Sequence, residues 1–288
     1  MKKILLQLCS DRLTNVFDTI TAYDTDVDCV LQYSGVAPDD VRDLVHGAMF
    51  TRNGDDLKNT AIHIGGGDLS TCEAILQAVR AEFLGPARVS VMLDAGGCNT
   101  TAAAIVTKIL SAGDVAGKRV VVMAGTGPVG LRTAALLAQE GAQVTLTSRH
   151  LARAEAACAA IEKRFGVGAS PAEATDAKGM RRALEGAYAA IATGAAGVRL
   201  LPETVWVAHP TLRVLAGVNA VPPLGIEGIE PAWDGEVRDD KTIFGAYGIG
   251  GLKAKIHRAC ILRLFERNDL VLDAEKIRAI AREGVVLE

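Results

Sequence analysis

The segment Arg119-Val120-Val121-Val122-Met123-Ala124-Gly125-Thr126-Gly127-Pro128-Val129-Gly130 decides how the rest of this chain reads. An apolar run fit for a buried strand leads into a G-x-G-x-x-G hexamer, and Leu131–Gln139 continues with the pattern of a helix. Glycine-rich hexamers arise by chance, so the flanking strand and helix carry the weight; a plain glycine turn is the bland alternative. On the functional reading each glycine has its own task. Gly125 allows the tight turn, Gly127 lets the backbone approach a pyrophosphate, and Gly130 lets the helix pack closely on its strand. Thr126, Pro128 and Val129 complete the loop, and the free N–H groups at the helix start supply partial positive charge for phosphate. Gly141-Ala142 returns the chain to a second strand, Gln143–Thr147. This succession predicts a Rossmann-type parallel sheet that binds a dinucleotide.

The end of that second strand selects the dinucleotide. An NAD site usually places Asp or Glu there, about 20 residues after the loop. Here Thr147-Ser148-Arg149-His150 stands, with Arg153 one turn on and no carboxylate before Glu155. Serine and arginine suit a 2′-phosphate, because guanidinium pairs with phosphate through two hydrogen bonds. The expected cofactor is NADP, with NAD a weaker ligand; a merely solvated Arg149 is the alternative. Two later strands, Ala189–Thr193 and Leu212–Val218, end in Thr193-Gly194-Ala195-Ala196-Gly197 and Asn219-Ala220-Val221-Pro222-Pro223-Leu224-Gly225. Both loops are expected to border the nicotinamide, with Thr193, Gly194 and Asn219 as contacts. Pro222-Pro223 also reads simply as the stop of a strand.

Toward the N-terminus the same alternation continues. Lys3–Leu8, Cys29–Tyr33, Ala61–Ile64 and Arg88–Leu93 read as strands, with helical patterns at Val16–Tyr23, Pro38–Phe50, Ala74–Val79 and Asn99–Leu110. The third strand stops at Gly65-Gly66-Gly67, and Asp68 or Ser70 is placed to cap the next helix. The polar, glycine-bearing break Ser111–Lys118 marks a boundary. The expectation is an α/β chain with a smaller α/β domain over residues 1–114 and a Rossmann domain over 115–251. Helices are expected from Gly248 through Phe265 and from Asp273 to Arg282.

Composition narrows the class. Among 288 residues, 31 are basic and 34 acidic, a formal charge of −3 without the basic excess of a nucleic-acid binder. With 49% hydrophobic residues the chain has the means to build a sizeable core and lacks the signature of disorder. The six cysteines form no Cys-x-x-Cys pair, and the five histidines show no ligand spacing, so no metal site is expected. The apolar start breaks at Gln7 and is too short for a signal-peptide core, and no run of about 18 apolar residues reads as a membrane span. The cytoplasm, with reduced and buried thiols, is the expected location.

Several motifs together carry a resemblance. They are Phe17-Asp18, Ala22-Tyr23-Asp24, Gly65-Gly66-Gly67-Asp68, Asn99-Thr100-Thr101-Ala102-Ala103-Ala104, Ala124–Gly130, Asn219–Ile226 and Gly248-Ile249-Gly250-Gly251-Leu252-Lys253. Over essentially the whole chain they resemble the bacterial NADP-dependent methylene-tetrahydromethanopterin dehydrogenases of methylotrophs. The resemblance implies oxidation of a methylene bridge between two pterin nitrogens to a methenyl cation, with hydride passing to NADP in one-carbon metabolism. It implies that the pterin domain is completed by C-terminal helices of about 252–288, that there is a cleft between the two domains, and that the chain forms homo-oligomers, trimers among them. Some members also accept methylene-tetrahydrofolate, and some use NAD.

Such a reaction moves a hydride and no proton, so it requires no general base. Rate comes from holding donor and acceptor face to face. Pterin contacts are expected at Asp68, Asp94, Asn99, Thr100 and Lys253, with Lys253 positioning the pterin. Each has a structural alternative: Asp68 as a helix cap, Thr100 as a first-turn residue, Lys253 as a solvated cation. Two competing readings stand beside this one. A shikimate-type or glutamyl-tRNA-reductase-like dehydrogenase would need a proton donor or a nucleophilic cysteine, for which Cys9 is the candidate. A non-catalytic NADP-sensing module would bind dinucleotide without turnover.

Overall fold

Alternating apolar runs and amphipathic stretches fold into two parallel sheets, each flanked by the helices that connect its strands. The structure, a computed structural model, describes residues 1–284. It divides into one unit of Met1–Thr100 with Ala254–Glu288 and another of Thr101–Lys253. The divisions fall within helices, whereas the polar break at Ser111–Lys118 and the resemblance set them at 114/115 and 251/252.

The first unit contains β1 (Ile4–Cys9), α1 (Val16–Tyr23), β2 (Cys29–Tyr33), α2 (Val41–Phe50), β3 (Thr60–Gly65), α3 (Leu69–Ala81) and β4 (Ser90–Leu93). α4 (Cys98–Ser111) begins in it and continues into the second unit. Its strands run in the order β2-β1-β3-β4, all parallel, with register such as Leu6 opposite Leu31 and Ile62. Every residue of β3 is buried, as expected for a central parallel strand covered on both faces. α3 shows the cause of its own form: Asp68 accepts from Thr71 N at its start, and Cys72, Ile75, Leu76 and Val79 bury one face.

The second unit contains β5 (Arg119–Met123), α5 (Pro128–Gln139), β6 (Gln143–Ser148), α6 (Leu151–Phe165), β7 (Ser170–Glu173), α7 (Ala177–Ala183) and β8 (Ala189–Ala192). α8 (Glu203–Trp206), β9 (Val214–Gly217), β10 (Asp234–Arg238) and β11 (Lys241–Phe244) follow. The order is β7-β6-β5-β8-β9-β11-β10, parallel except for the last strand. Val121, Met123, Ala190, Leu215, Ile243 and Trp206 form part of its core. α9 (Ala246–Leu264) then leads back to the first unit, where β12 (Val271–Leu272) joins β4 and α10 (Ala274–Arg282) closes the described chain.

These orders locate crevices. Read from one edge, the second sheet has the doubly wound order whose direction reverses between β5 and β8. The first has the five-strand order 2-1-3-4-5, reversing between β1 and β3. Ligands in open α/β sheets bind outside the carboxyl ends of the strands at such reversals. β7, the β10–β11 hairpin and the short β12 are additions to the expected strands. No helix among the described residues is long and apolar enough to cross a membrane.

Candidate active site

The loop after β5 lies at the reversal point of the second sheet, and each of its glycines has a distinct spatial reason. A Cβ on Gly130 would stand 2.5 Å from Gly125 Cα, so only glycine lets α5 start against the loop. A Cβ on Gly125 would press within 2.9 Å of Leu146 and Val122. The left-handed residue of the turn is Ala124, at φ +51°, rather than Gly125. Around Gly127 nothing lies within 4 Å of where a Cβ would point. That opening is the cradle expected for a pyrophosphate. The loop is tied to the end of β6, where Ala124 N donates to Thr147 Oγ1 at 3.1 Å and Gly125 N to Thr147 O at 3.1 Å.

A cavity of about 310 Å³ gathers the residues read from the sequence. Thr126 and Gly127 line it together with Ser148, Arg149, Arg153, Thr193 and Gly194. Pro128 and Val129 open α5 directly after Gly127. Ser148 is buried and its Oγ accepts from His150 N at 3.3 Å, while Arg149 and Arg153 are exposed. Thr193 N and Oγ1 both donate to Met123 O at 3.1 Å. Asn219 Nδ2 donates to Gly194 O at 2.7 Å, so this side chain links the loops after β9 and β8. Ala174 and Met180 also line the cavity, and no sequence signal marked them, because β7 and α7 bring them there. Glu173 ends β7 and accepts from Leu151 N at 3.3 Å, placing a carboxylate at the start of α6.

Two larger hollows, of about 810 and 630 Å³, lie elsewhere. Leu57, Arg88 and Asn268 line the first, and Arg119, Gln143 and Ser170 the second; these residues sit at or before the amino ends of strands. Ligand crevices belong at the carboxyl ends, so size does not identify the site here.

At the reversal point of the first sheet, the loops after β1 and β3 are bonded to one another. Ser10 N donates to Gly65 O at 3.0 Å and Gly67 N to Asp11 Oδ2 at 2.9 Å. Gly66, at φ +138°, leaves no room for a side chain beside Ser10. Asp68 follows as the cap of α3, and the donors Ser70 Oγ and Thr71 N hold its carboxyl down to about 2.

Asp94, Asn99 and Thr100 stand together and are buried. Asp94 accepts from Asn99 N at 2.8 Å, Thr100 N at 3.1 Å and Thr100 Oγ1 at 2.6 Å, while Asn99 Nδ2 donates to Leu93 O at 2.6 Å. The carboxylate thereby caps α4 where the helix dipole favours negative charge. Lys253 lies on α9, half-buried, one turn before the buried His257. Folding also assembles Asp18, His63 and His257, whose donor atoms lie within 4.8 Å of one another. Their sequence spacing carried no signal, since they come from α1, β3 and α9. Cys9 is buried, and burial pushes its thiol up, which opposes a nucleophilic role.

Comparison with known proteins identifies the family. Residues 16–96 match the family described as methylene-tetrahydromethanopterin dehydrogenase, N-terminal. The "Bifunctional protein MdtA" of Methylorubrum extorquens is 46% identical over 98% of this chain and 99% of its own. The same organism's "NAD(P)-dependent methylenetetrahydromethanopterin dehydrogenase" is 30% identical over 98% of each chain. A solved quinate dehydrogenase from Corynebacterium glutamicum, in complex with NAD, covers 98% of this chain and 100% of its own with a TM-score of 0.56. At 14% identity that likeness shows the fold alone. With both reversal points in place and near-complete coverage by two such relatives, the chain belongs to the methylene-tetrahydromethanopterin dehydrogenase family.

Proposed function

We propose that this protein transfers a hydride from methylene-tetrahydromethanopterin to NADP, producing the methenyl form, and that it acts on methylene-tetrahydrofolate as a further substrate. The observation that carries the reading is 46% identity over 98% of the chain to a family member. The open cradle at Gly127, ringed by Ser148, Arg149 and Arg153, fits a phosphorylated dinucleotide. When bound, NADP supplies the nicotinamide ring that takes up the hydride.

The chain's own residues bind and orient. Backbone N–H groups of the loop after β5 and the first turn of α5 hold pyrophosphate. Arg149 and Arg153 hold the 2′-phosphate, and Ser148 shapes the pocket beside them. Asn219, fastened to Gly194, keeps the two loops bordering the nicotinamide in one arrangement. We assign the pterin to the β1/β3 edge of the first unit, with Asp68 as a contact there, and assign to Lys253 the positioning of the ring. Asp94, Asn99 and Thr100 act as the rigid support of that edge. The C–H bond of the methylene bridge breaks with both electrons leaving on hydrogen. The remaining positive charge is shared by two nitrogens, so no residue has to take a proton, and rate rests on alignment.

The proposal extends to a homo-oligomer, a trimer by resemblance, supported by the exposed apolar Val16, Phe17, Ile20 and Tyr23 of α1. It also places the protein in the cytoplasm, supported by six free cysteines, five of them buried. The decisive experiment mixes purified protein with methylene-tetrahydromethanopterin or methylene-tetrahydrofolate and NADP. Growth of NADPH absorbance is expected with both. A folded protein that binds NADP and turns over neither pterin would overturn the reading.

A further inference from the structure

The motif Phe17-Asp18 has no task in the mechanism above, yet Asp18 lies at the reversal point of the first sheet. It sits in the first turn of α1, only 5% exposed, beside His63 of β3 and His257 of α9, at 1% and 0%. The two imidazole rings lie 5.4 Å apart, and Phe17 sets its edge on His257 at 5.9 Å. His257 Nδ1 in turn stands 3.6 Å from Asp94 Oδ2, the buried carboxylate that caps α4. Above the cluster runs the glycine loop. A Cβ on Gly65 would lie 3.4 Å from Asp18 Oδ2 and 3.3 Å from His63 Cε1. The carboxylate is therefore directly under the backbone that borders the proposed pterin edge, with no side chain of Gly65 between them.

Resting on the functional reading above, we infer that Asp18 is an electrostatic positioning residue that favours the methenyl cation over the neutral methylene form. The chemistry needs such a group. Hydride loss turns an uncharged bridge into a cation, so a fixed negative charge nearby stabilises the product and the transition state but not the substrate. In a buried setting this interaction is several-fold stronger than in water. His63 and His257 lie beside the carboxylate with ligand atoms within 4.8 Å of one another, His257 Nδ1 stands 3.6 Å from Asp94 Oδ2, and Lys253 lies one turn away on α9. The cluster acts from beneath the loop and moves no proton.

The test compares affinities for the two oxidation states. Methenyl- and methylene-tetrahydromethanopterin are titrated separately into wild type, Asp18→Asn and Asp18→Glu, with NADP titrated as a control and hydride transfer followed in single turnovers. Asp18→Asn should lose methenyl affinity by roughly tenfold to a hundredfold and slow the hydride step, with methylene and NADP affinities within about twofold of wild type. Asp18→Glu, which keeps the charge, should keep the preference for the cation. Equal losses for both pterins in Asp18→Asn, or no loss, would overturn the inference. So would a preference abolished in Asp18→Glu, should the amide variant not fold. Stoichiometric zinc retained by wild type and released in Asp18→Asn would overturn it too, by making the cluster a metal site. If wild type turns over no pterin, the functional reading has failed and this inference falls with it. With wild-type turnover intact and the preference unmoved, this inference alone fails.

Discussion

The two reversal points are built from opposite materials. At β5/β8 the working surface is open backbone: Gly127 faces space, and the cations Arg149 and Arg153 stand exposed. At β1/β3 the polar groups Asp18, His63, Asp94 and His257 are buried beneath the loops. The first arrangement suits a ligand that carries its own charge, since free N–H groups and surface guanidinium need only match its shape. The second suits a ligand whose charge changes during the reaction, because a buried carboxylate acts strongly and without rearranging. On the proposed function, a nucleotide would be met by geometry and a reacting heterocycle by electrostatics.

The sharpest way to break this comparison lies in the two glycines of one loop. Gly130→Ala puts a Cβ at 2.5 Å from Gly125 backbone and should destabilise the fold by roughly 1–3 kcal/mol while abolishing NADP binding. Gly127→Ala should leave the denaturant midpoint unchanged and weaken NADP about tenfold, because its methyl enters only the ligand's space. If both variants lose stability alike, the cradle at Gly127 is not an opening.

In the first unit, Thr100→Val removes the hydroxyl that donates to Asp94. A hydrogen bond to a buried charge is worth roughly 1.5–3 kcal/mol, and chemical denaturation should show that loss with NADP affinity unchanged. Arg149→Ala tests the exposed side: affinity for NADP should fall about tenfold with NAD little affected. Equal losses for both nucleotides would show that the 2′-phosphate is read elsewhere.

The smallest effect is acid-dependent. Asp68 has its carboxyl lowered from 3.8 to about 2 by Ser70 and Thr71, so its capping contribution is complete above the unfolded value and fades as pH falls through the folded one. The melting temperature of Asp68→Ala should sit slightly below wild type at about pH 5, and the gap should narrow toward about pH 2. A gap independent of pH would assign the cap to geometry rather than charge.

Much of the nucleotide unit was legible because its signals are local. The loop, its preceding strand, Ser148 and Arg149 occupy one short stretch of chain. The missing strands failed for physical reasons. β7 contains Pro171 and is mostly exposed, so it lacks the apolar run of a central strand. The β10–β11 hairpin turns through Asp239 and Asp240, both at positive φ, in place of the glycine that usually announces such a turn. In the first unit, Asp68 was readable as a cap, and the mutual bonding of Asp94, Asn99 and Thr100 was hidden in a pattern that served equally for ligand contact. Asp18, His63 and His257 were invisible as a set, because only the packing of α1, β3 and α9 brings them together.

Pro128 opens α5 with a ring that carries no N–H. The phosphate cradle therefore has one donor fewer than a helix start usually offers, but its first turn is stiff before anything arrives. Little chain entropy is left to lose on association. Calorimetry of Pro128→Ala should accordingly show a more favourable heat and a larger entropic penalty, with the two nearly cancelling in affinity.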